Sequence, residues 1–345
     1  MSSTPSLVRP EPGHSSHSAV PASSRVDELA EPARELHARF DELVLPYRAA
    51  LWAYARRLTG NAWDAEDLVQ ETLLRAFAKL PRFYQALETR AYLFRIATNA
   101  WIDRARQSRG AWVELDEASG VAVEEPSWER ADVDAALERL VALLPPRQRV
   151  IVLLTVAFDF TAPEVAAMLG TTAGAVKAAL HRARVALAQP AAGAERSERR
   201  EGGAAPELVV KFVEAFNRRD PDAIAALLDS EATNEIVGVA EEQGRTVSRA
   251  NSLAEWAAGH GTELAEIGHV DGEPAVLVYD LLDGGTRALS WLIRLETAGE
   301  RIVRQRQYYF CPELIAYAAE QAGVPAHTHG HRYVGADAPD APSAA

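Results

Sequence analysis

The stretch Thr161–Arg184, TAPEVAAMLGTTAGAVKAALHRAR, reads as two short helices joined by a tight turn, and its reading decides how the helical half folds. Thr161 and Glu164 have capping-box spacing, in which hydroxyl and carboxylate each satisfy a free backbone N–H at a helix start. Pro163 fits because first-turn N–H groups have no helical partner. Val165, Ala166 and Leu169 make a short apolar stripe, and Gly170 supplies the left-handed residue that stops the helix. Thr171 or Thr172 caps a second helix whose Val176, Ala179, Leu180 and Ala183 face inward. Its other face carries Lys177, His181, Arg182 and Arg184, residue types that meet phosphates and base edges in a major groove. A solvated face on an ordinary helical hairpin fits the same pattern.

The 345 residues leave room for two or three domains. Cys311 is the only cysteine, so neither an intramolecular disulfide nor a cysteine-based zinc site is available, which suits a reducing cytoplasm. No apolar run is long enough to span a membrane. The net charge of −13 argues against nucleic acid until its distribution is examined. From residue 206 onward 11 basic and 22 acidic residues give −11, leaving −2 for the first 205 residues. Within that near-neutral part, Arg75–Arg109 and Arg139–Gln189 are basic, and Glu114–Asp134 between them is acidic. Two basic helical blocks therefore lie inside an acidic chain.

Working outward, residues 1–31 read as a disordered leader, rich at first in Ser, Pro and His. Residues 32–108 show helical periodicity in three runs, broken at Gly60-Asn61 and at Pro81. Residues 109–129 read as an acidic linker, 130–189 as a second helical unit, and 190–205 as a flexible tether. From 206 to 322 short helices give way to runs rich in Val, Ile, Tyr and Trp, with a hairpin turn at Gly284-Gly285. Residues 323–345 form a tail. The expected fold is multi-domain: two all-α domains, a helical bundle and then a helix-turn-helix, followed by an α+β domain with a curved antiparallel sheet.

Three motifs in the helical half carry a family resemblance. Asp64-Ala-Glu-Asp-Leu-Val-Gln-Glu-Thr-Leu-Leu-Arg-Ala-Phe77 resembles the polymerase-binding helix of the sigma-70 family, specifically its small extracytoplasmic-function group. Arg90–Arg106 resembles that group's −10 promoter-reading helix, and Leu144–Arg149 with the helix-turn-helix resembles its −35 reader. The resemblance covers about residues 32–188 and implies sigma region 2 over 32–108 and region 4 over 130–189. It implies core RNA polymerase and promoter DNA as partners, in the cytoplasm. Core-polymerase binding falls on Asp64, Asp67, Leu68, Gln70, Glu71 and Arg75, where a polar face with an apolar rim of Leu68 and Leu74 suits protein docking. The −10 contacts fall on Arg82, Phe83, Arg90, Asn99, Asp103, Arg104 and Arg106, beside Tyr92 and a core-packed Trp101. The −35 contacts fall on Arg147, Thr172, Lys177, His181, Arg182 and Arg184. Ala175 and Ala179 stand where many members have Thr and Arg, which puts the preferred −35 sequence apart.

Residues 206–322 resemble the SnoaL-like cone through element order and Phe212-Val-Glu-Ala-Phe-Asn-Arg-Arg-Asp220. Some such cones are isomerases or cyclases with an Asp or Glu base, and Glu235, His260, Asp280, Tyr279 and Tyr308 are the matching residue types here. None has a spacing that demands catalysis, so no enzyme activity, catalytic residue or cofactor is expected, and the cone is expected to modulate the sigma half. His327, His329 and His331 alternate in a tail without a nearby carboxylate, which reads as surface and gives no metal site. Cys311 is expected buried at a strand end. A small ligand of the cone and an anti-sigma protein stay open as further partners. Two other readings remain: a helix-turn-helix regulator with a ligand-binding cone, and a cone-fold isomerase or cyclase. The 64–77 motif separates the sigma-factor reading from the helix-turn-helix regulator, since a simple regulator needs no polymerase-docking helix.

Overall fold

The computed structural model describes residues 22–79, 88–109, 144–187, 206–259 and 261–331. Arg82, Phe83, His260, the 190–205 tether and most of the expected leader and linker lie outside them. Helix α1 spans Ala22–Thr59 and so begins inside the stretch expected as leader. It ends at Gly60, and the Asn61 side chain caps the next helix, its Oδ1 accepting from the N–H groups of Trp63 (2.8 Å) and Asp64 (3.1 Å). That helix, α2, spans Ala62–Lys79, and α3 spans Thr89–Arg109. Leu51, Tyr54 and Leu58 of α1 meet Trp63, Leu68 and Leu73 of α2 and Leu93 and Phe94 of α3 in a buried core.

The second helical unit opens with α4, Pro146–Val152, which runs into a single π turn over Leu153–Ala157. Helices α5, Ala162–Leu169, and α6, Ala173–Leu187, follow. The capping box forms as its spacing requires, with Thr161 N–H donating to Glu164 at 2.7 Å, and Gly170 ends α5 at φ 64°. Thr172 is the cap of α6, accepting from the Ala175 N–H at 3.1 Å. Phe158 and Phe160, after the π turn, pack edge-on or tilted against Tyr54 and Phe94 with centroids 5.1–5.3 Å apart. The two helical units therefore share one core.

Beyond residue 205 come α7 (Pro206–Asn217), α8 (Pro221–Leu227), β1 (Leu228–Ile236), β2 (Ala240–Gln243), α9 (Arg245–Ala250) and α10 (Ser252–Ala258). Then β3 (Leu264–Val270), β4 (Glu273–Leu281), β5 (Arg287–Ala298), β6 (Arg301–Tyr308) and α11 (Pro312–Ala322) complete the domain. The sheet order is β2-β1-β6-β5-β4-β3. Gly284 and Gly285, at φ 84° and 80°, make the expected turn between β4 and β5. The expected all-antiparallel sheet needs one correction: β1 pairs with β6 in parallel. Parallel neighbours require a long crossover, and here everything from β2 to β5 lies between them.

One face of the sheet closes over Phe212 and Phe216 of α7 with Val276, Val278, Trp291 and Ile293, forming a core of its own. The other face, with Leu277, Leu289 and Leu292, joins α11 to the core of the helical half. Burial on both faces explains why AVLVY in β4 and ALSWLI in β5 are continuous apolar runs instead of alternating ones. The tail also differs from expectation. Past Gly323 it continues the sheet where β6 has ended, through Leu289 N–H to Pro325 O and His327 N–H to Leu289 O, both 2.8 Å.

Asp41 of α1 lies next to the core residues Phe40 and Val44, and its Oδ1 is buried without a hydrogen-bond partner among the described residues. Burial pushes its carboxyl up to about 7, against the pull of Arg48. An unfolded Asp titrates near 3.9, so from about pH 4 to 7 the folded chain holds an extra proton and loses stability as pH rises. Asp41→Asn is expected to raise the melting temperature at pH 8 and to change it little at pH 4. Thermal unfolding at the two pH values checks this, and an equal effect at both contradicts it.

Candidate functional site

Helix α2 carries the residues expected to bind polymerase, and its surroundings decide which of them are accessible. Leu68 corrects the expectation outright: it is fully buried in the helical core and forms no docking rim, while Leu74 is 54% exposed. Both apolar positions follow helical spacing, and that spacing alone does not say which faces the core. Asp64 is half-buried. Glu71 pairs with Arg75 at 2.5 Å and with Arg104 of α3. Asp67 and Gln70 face the C-terminal domain. Arg306 of β6 donates from Nη1 to Asp67 Oδ1 at 2.7 Å and from Nε to Glu235 at 2.9 Å. Gln70 is buried between Glu66, which accepts from its Nε2 at 2.7 Å, and Cys311, whose Sγ lies 3.9 Å away. A side chain at Gly238 would approach Gln70 Oε1 to 2.8 Å, so the β1–β2 turn touches α2 closely.

Two clusters fasten the domain to α1 and α2. In the first, Arg48 of α1 is buried and donates to Glu66 of α2 at 2.7 Å and to Glu313 of α11 at 3.1 Å. Burial opposes its charge, and Glu66 and then Glu313 outweigh that effect, so its proton is held more tightly than usual. Nearby, Trp63 lies against Tyr308 at 5.0 Å, with Arg294 over its indole at 5.4 Å. Burial pushes the Cys311 thiol well up, keeping it protonated and inert.

The second cluster is the β3–β4 turn, Asp271-Gly272, both at positive φ. Asn-Gly and Asp-Gly pairs favour two-residue turns of this hand. The Asp271 carboxylate accepts from the Ala62 N–H at 2.6 Å, from Tyr317 at 2.6 Å and from Arg56 at 3.2 Å. An anion from the C-terminal domain thus sits at the N-terminus of α2, where the helix dipole favours it. Glu273 accepts from Asn61 at 3.1 Å alongside.

The expected −10 residues divide. Asn99, Asp103 and Arg106 are exposed on α3, the last two 3.5 Å apart. Arg90 instead donates to the Phe158 carbonyl and lies over Phe160 at 4.3 Å, and Arg104 is engaged by Glu71. Trp101 is buried as expected, with Arg149 over its ring at 5.5 Å. Among the expected −35 residues, Thr172, Lys177 and His181 are exposed, and Arg182 and Arg147 are half-buried. The Arg184 side chain lies outside the described residues.

The tail histidines have carboxylate neighbours after all, supplied by folding and not by sequence proximity. His327 Nδ1 is 2.8 Å from Asp280, His329 Nε2 is 3.9 Å from the same Asp280 and 2.8 Å from the Ser290 hydroxyl, and His331 is 3.3 Å from Glu313. Local hydrogen bonds account for the two 2.8 Å contacts. Asp280, His327 and His329 bring one potential ligand atom each within 4.8 Å of one another. Among the described residues, no helix is long and apolar enough to cross a membrane.

Residues 43–110 match the family described as Sigma-70 region 2, and residues 134–187 match Sigma-70, region 4. The chain is 36% identical over 167 residues to the ECF RNA polymerase sigma factor SigL of Mycobacterium tuberculosis, covering 46% of this chain and 89% of that protein. The chain belongs to the ECF sigma factors. It is also 34% identical over 231 residues to SigG of the same organism, covering 59% of this chain and 62% of that relative. It therefore spans about three-fifths of the length of the first curated relatives it matches. The crystal structure of the Mycobacterium tuberculosis sigma factor SigJ aligns with 78% of this chain and 95% of its own, at 21% identity and a TM-score of 0.30.

In this sigma factor the Arg48 cluster is buried and Glu71–Arg104 is at the surface, and mutation should separate them. Glu66→Ala is expected to cost about 3–5 kcal/mol, the scale for breaking a buried ion pair. Arg104→Ala is expected to cost under about 1 kcal/mol, as exposed pairs do. Urea unfolding measures both, and comparable losses would contradict the central place given to Arg48.

Proposed function

We propose that this chain is an alternative sigma factor that binds core RNA polymerase in the cytoplasm and directs initiation at promoters with −10 and −35 elements. Its own C-terminal domain holds it in an inactive form. Region 2 and region 4 occupy 43–110 and 134–187 in the order that a two-point promoter grip needs. The observation that carries the regulatory part is the coverage of α2: Asp67 and Gln70, on the helix expected to dock polymerase, are held by Arg306 and by the Cys311 neighbourhood.

The promoter sets a second requirement. Elements named for positions about 25 base pairs apart are separated by roughly 85 Å of duplex at about 3.4 Å per pair. Arg90 of α3 instead touches Phe158 of the region 4 unit, and the Arg149 guanidinium donates to the Leu58 carbonyl at 3.0 Å. Reading both elements at once requires the two units to part. On this reading the closed chain binds DNA weakly alone, which its acidic balance favours.

We read the cone as regulatory and not catalytic. Glu235 is neutralised by Arg304 and Arg306, and their hydrogen bonds hold its carboxyl below the usual range despite burial. Glu235, Asp280, Tyr279 and Tyr308 do not line the domain's internal cavity.

Transcription from promoter fragments with purified core polymerase tests the reading. The full chain should give less specific transcript than the same chain truncated after residue 205. Asp271→Ala/Arg306→Ala, which removes the Asp271 cluster and the Arg306–Asp67 pair without truncation, should recover at least half of the difference. No transcript from any form, with DNA bound equally well without polymerase, favours an ordinary helix-turn-helix regulator. Equal output from all three forms refutes inhibition by the C-terminal domain.

A further inference from the structure

Two histidines of the tail and a carboxylate of β4, 47 residues apart in sequence between His327 and Asp280, meet at the surface of the C-terminal domain. Past Gly323 the tail runs beside β5, held by the hydrogen bonds of Leu289 with Pro325 and His327. Residues two apart in extended chain share a face, so His327 and His329 turn the same way, towards Asp280. Gly330, at φ 74°, then redirects the chain, and His331 meets Glu313 instead. His327 Nδ1 and His329 Nε2 approach the same oxygen of Asp280, at 2.8 and 3.9 Å. All three atoms lie within 4.8 Å of one another.

Hydrogen bonding explains only part of this arrangement. Asp280 and His327 satisfy each other, and His329 Nε2 has the Ser290 hydroxyl at 2.8 Å, yet that same nitrogen also stands near Asp280. The His329 ring is held by stacking on Tyr309, 4.3 Å away and 6° from parallel. The two imidazoles cross at 63° with centroids 5.4 Å apart, so their nitrogens converge without the rings stacking. Tetrahedral zinc holds histidine nitrogen and carboxylate oxygen at roughly 2.0–2.2 Å, which sets its ligand atoms about 3.3–3.4 Å apart. The observed 2.8 and 3.9 Å straddle that spacing. His327, at 47% exposure the freest of the three, can rotate to close the set. Two imidazoles and one carboxylate suit a late first-row divalent ion, whereas magnesium and calcium prefer oxygen throughout.

We propose that Asp280, His327 and His329 bind one Zn²⁺ ion, with water as the fourth ligand. The site goes beyond the sigma-factor reading and does not depend on it. Zinc here fastens the tail to β4 by closing the loop between Asp280 and His327, and an ion that binds only the folded chain stabilises it. Two residues past the site, His331 reaches Glu313, the acid that also holds Arg48, so the fastened tail ends at the contact with the helical half.

Zinc chloride titrated into the untagged full chain at neutral pH, against a micromolar-affinity zinc indicator, is the test. The chain should draw one equivalent of zinc from the indicator. Asp280→Asn, His327→Gln and His329→Gln should each weaken binding about tenfold or more, since loss of even an outer partner of a metal ligand costs that much. All three keep a side chain that hydrogen-bonds, and equal melting temperatures without zinc verify their folds. His269→Gln, at an exposed histidine of β3, should change nothing. Zinc should raise the melting temperature of the natural chain, and excess chelator should reverse the shift. Cobalt(II) in the natural chain should give the intense visible bands of a four-coordinate ion, a reading that needs no variant to fold. Failure to take zinc from the indicator, undiminished affinity in the three variants, or the weak spectrum of six-coordinate cobalt overturns the proposal.

Discussion

A guanidinium with almost no access to water organises this chain. Arg48 keeps its charge in the interior only because Glu66 and Glu313 reach it from two other helices. Moving a charge out of water costs several kcal/mol even after relaxation, and only well-placed partners compensate it. Glu66 lies within the helical half, so α1 and α2 stay fastened with or without the C-terminal domain. Glu313 opens α11, so the third helix is drawn to the same point from 265 residues away along the chain. The contact between the domains thus extends a charge pair that the helical half already needs.

The rest of that contact is less well satisfied. Trp63 Nε1, Gln70 Oε1 and Tyr308 Oη are buried there without hydrogen-bond partners among the described residues. Each orphaned group carries a penalty of roughly 1–3 kcal/mol that water would relieve on separation. Against this stand the buried apolar residues of α11, the Asp271 cluster and the ion pairs of Arg48 and Arg306. An interface built this way resembles one between partners that exchange more than the interior of a single domain does. The regulatory role proposed for the domain needs that character, since permanent burial of α2 would abolish the docking proposed for it.

What was legible in the sequence was local. The Thr161–Glu164 box, the left-handed Gly170 and the Gly284-Gly285 turn depend on residues within a few positions, and each forms as its spacing implies. β1 and β2 were not legible, because LDSEATNEI is polar and earns its strand by pairing: Glu235 meets Arg304 and Arg306 across the β1–β6 ladder. The tail histidines illustrate the same limit, since Asp280 and Glu313 reach them only through the sheet and α11. The burial of Leu68 and the covering of Asp67 and Gln70 depend on contacts that helical periodicity does not encode. Even so, the continuous apolar runs of β4 and β5 carried a sign that something covers the sheet's second face, and Asp271-Gly272 marked the turn that reaches α2.

These features connect through strand β6. A sheet with one face on a cavity and the other on a helix cannot adjust one side without straining the other, because close-packed interiors transmit small displacements. Alternate residues of β6 serve the two faces: Gln305 looks into the cavity and Arg306 holds Asp67 and Glu235 together. The parallel pairing with β1 ties Glu235 to this strand, so a shift of β6 moves Arg306 and Glu235 together relative to Asp67 on α2. Coupling between cavity and α2 therefore requires no distant pathway, only two neighbouring residues on opposite faces of one strand.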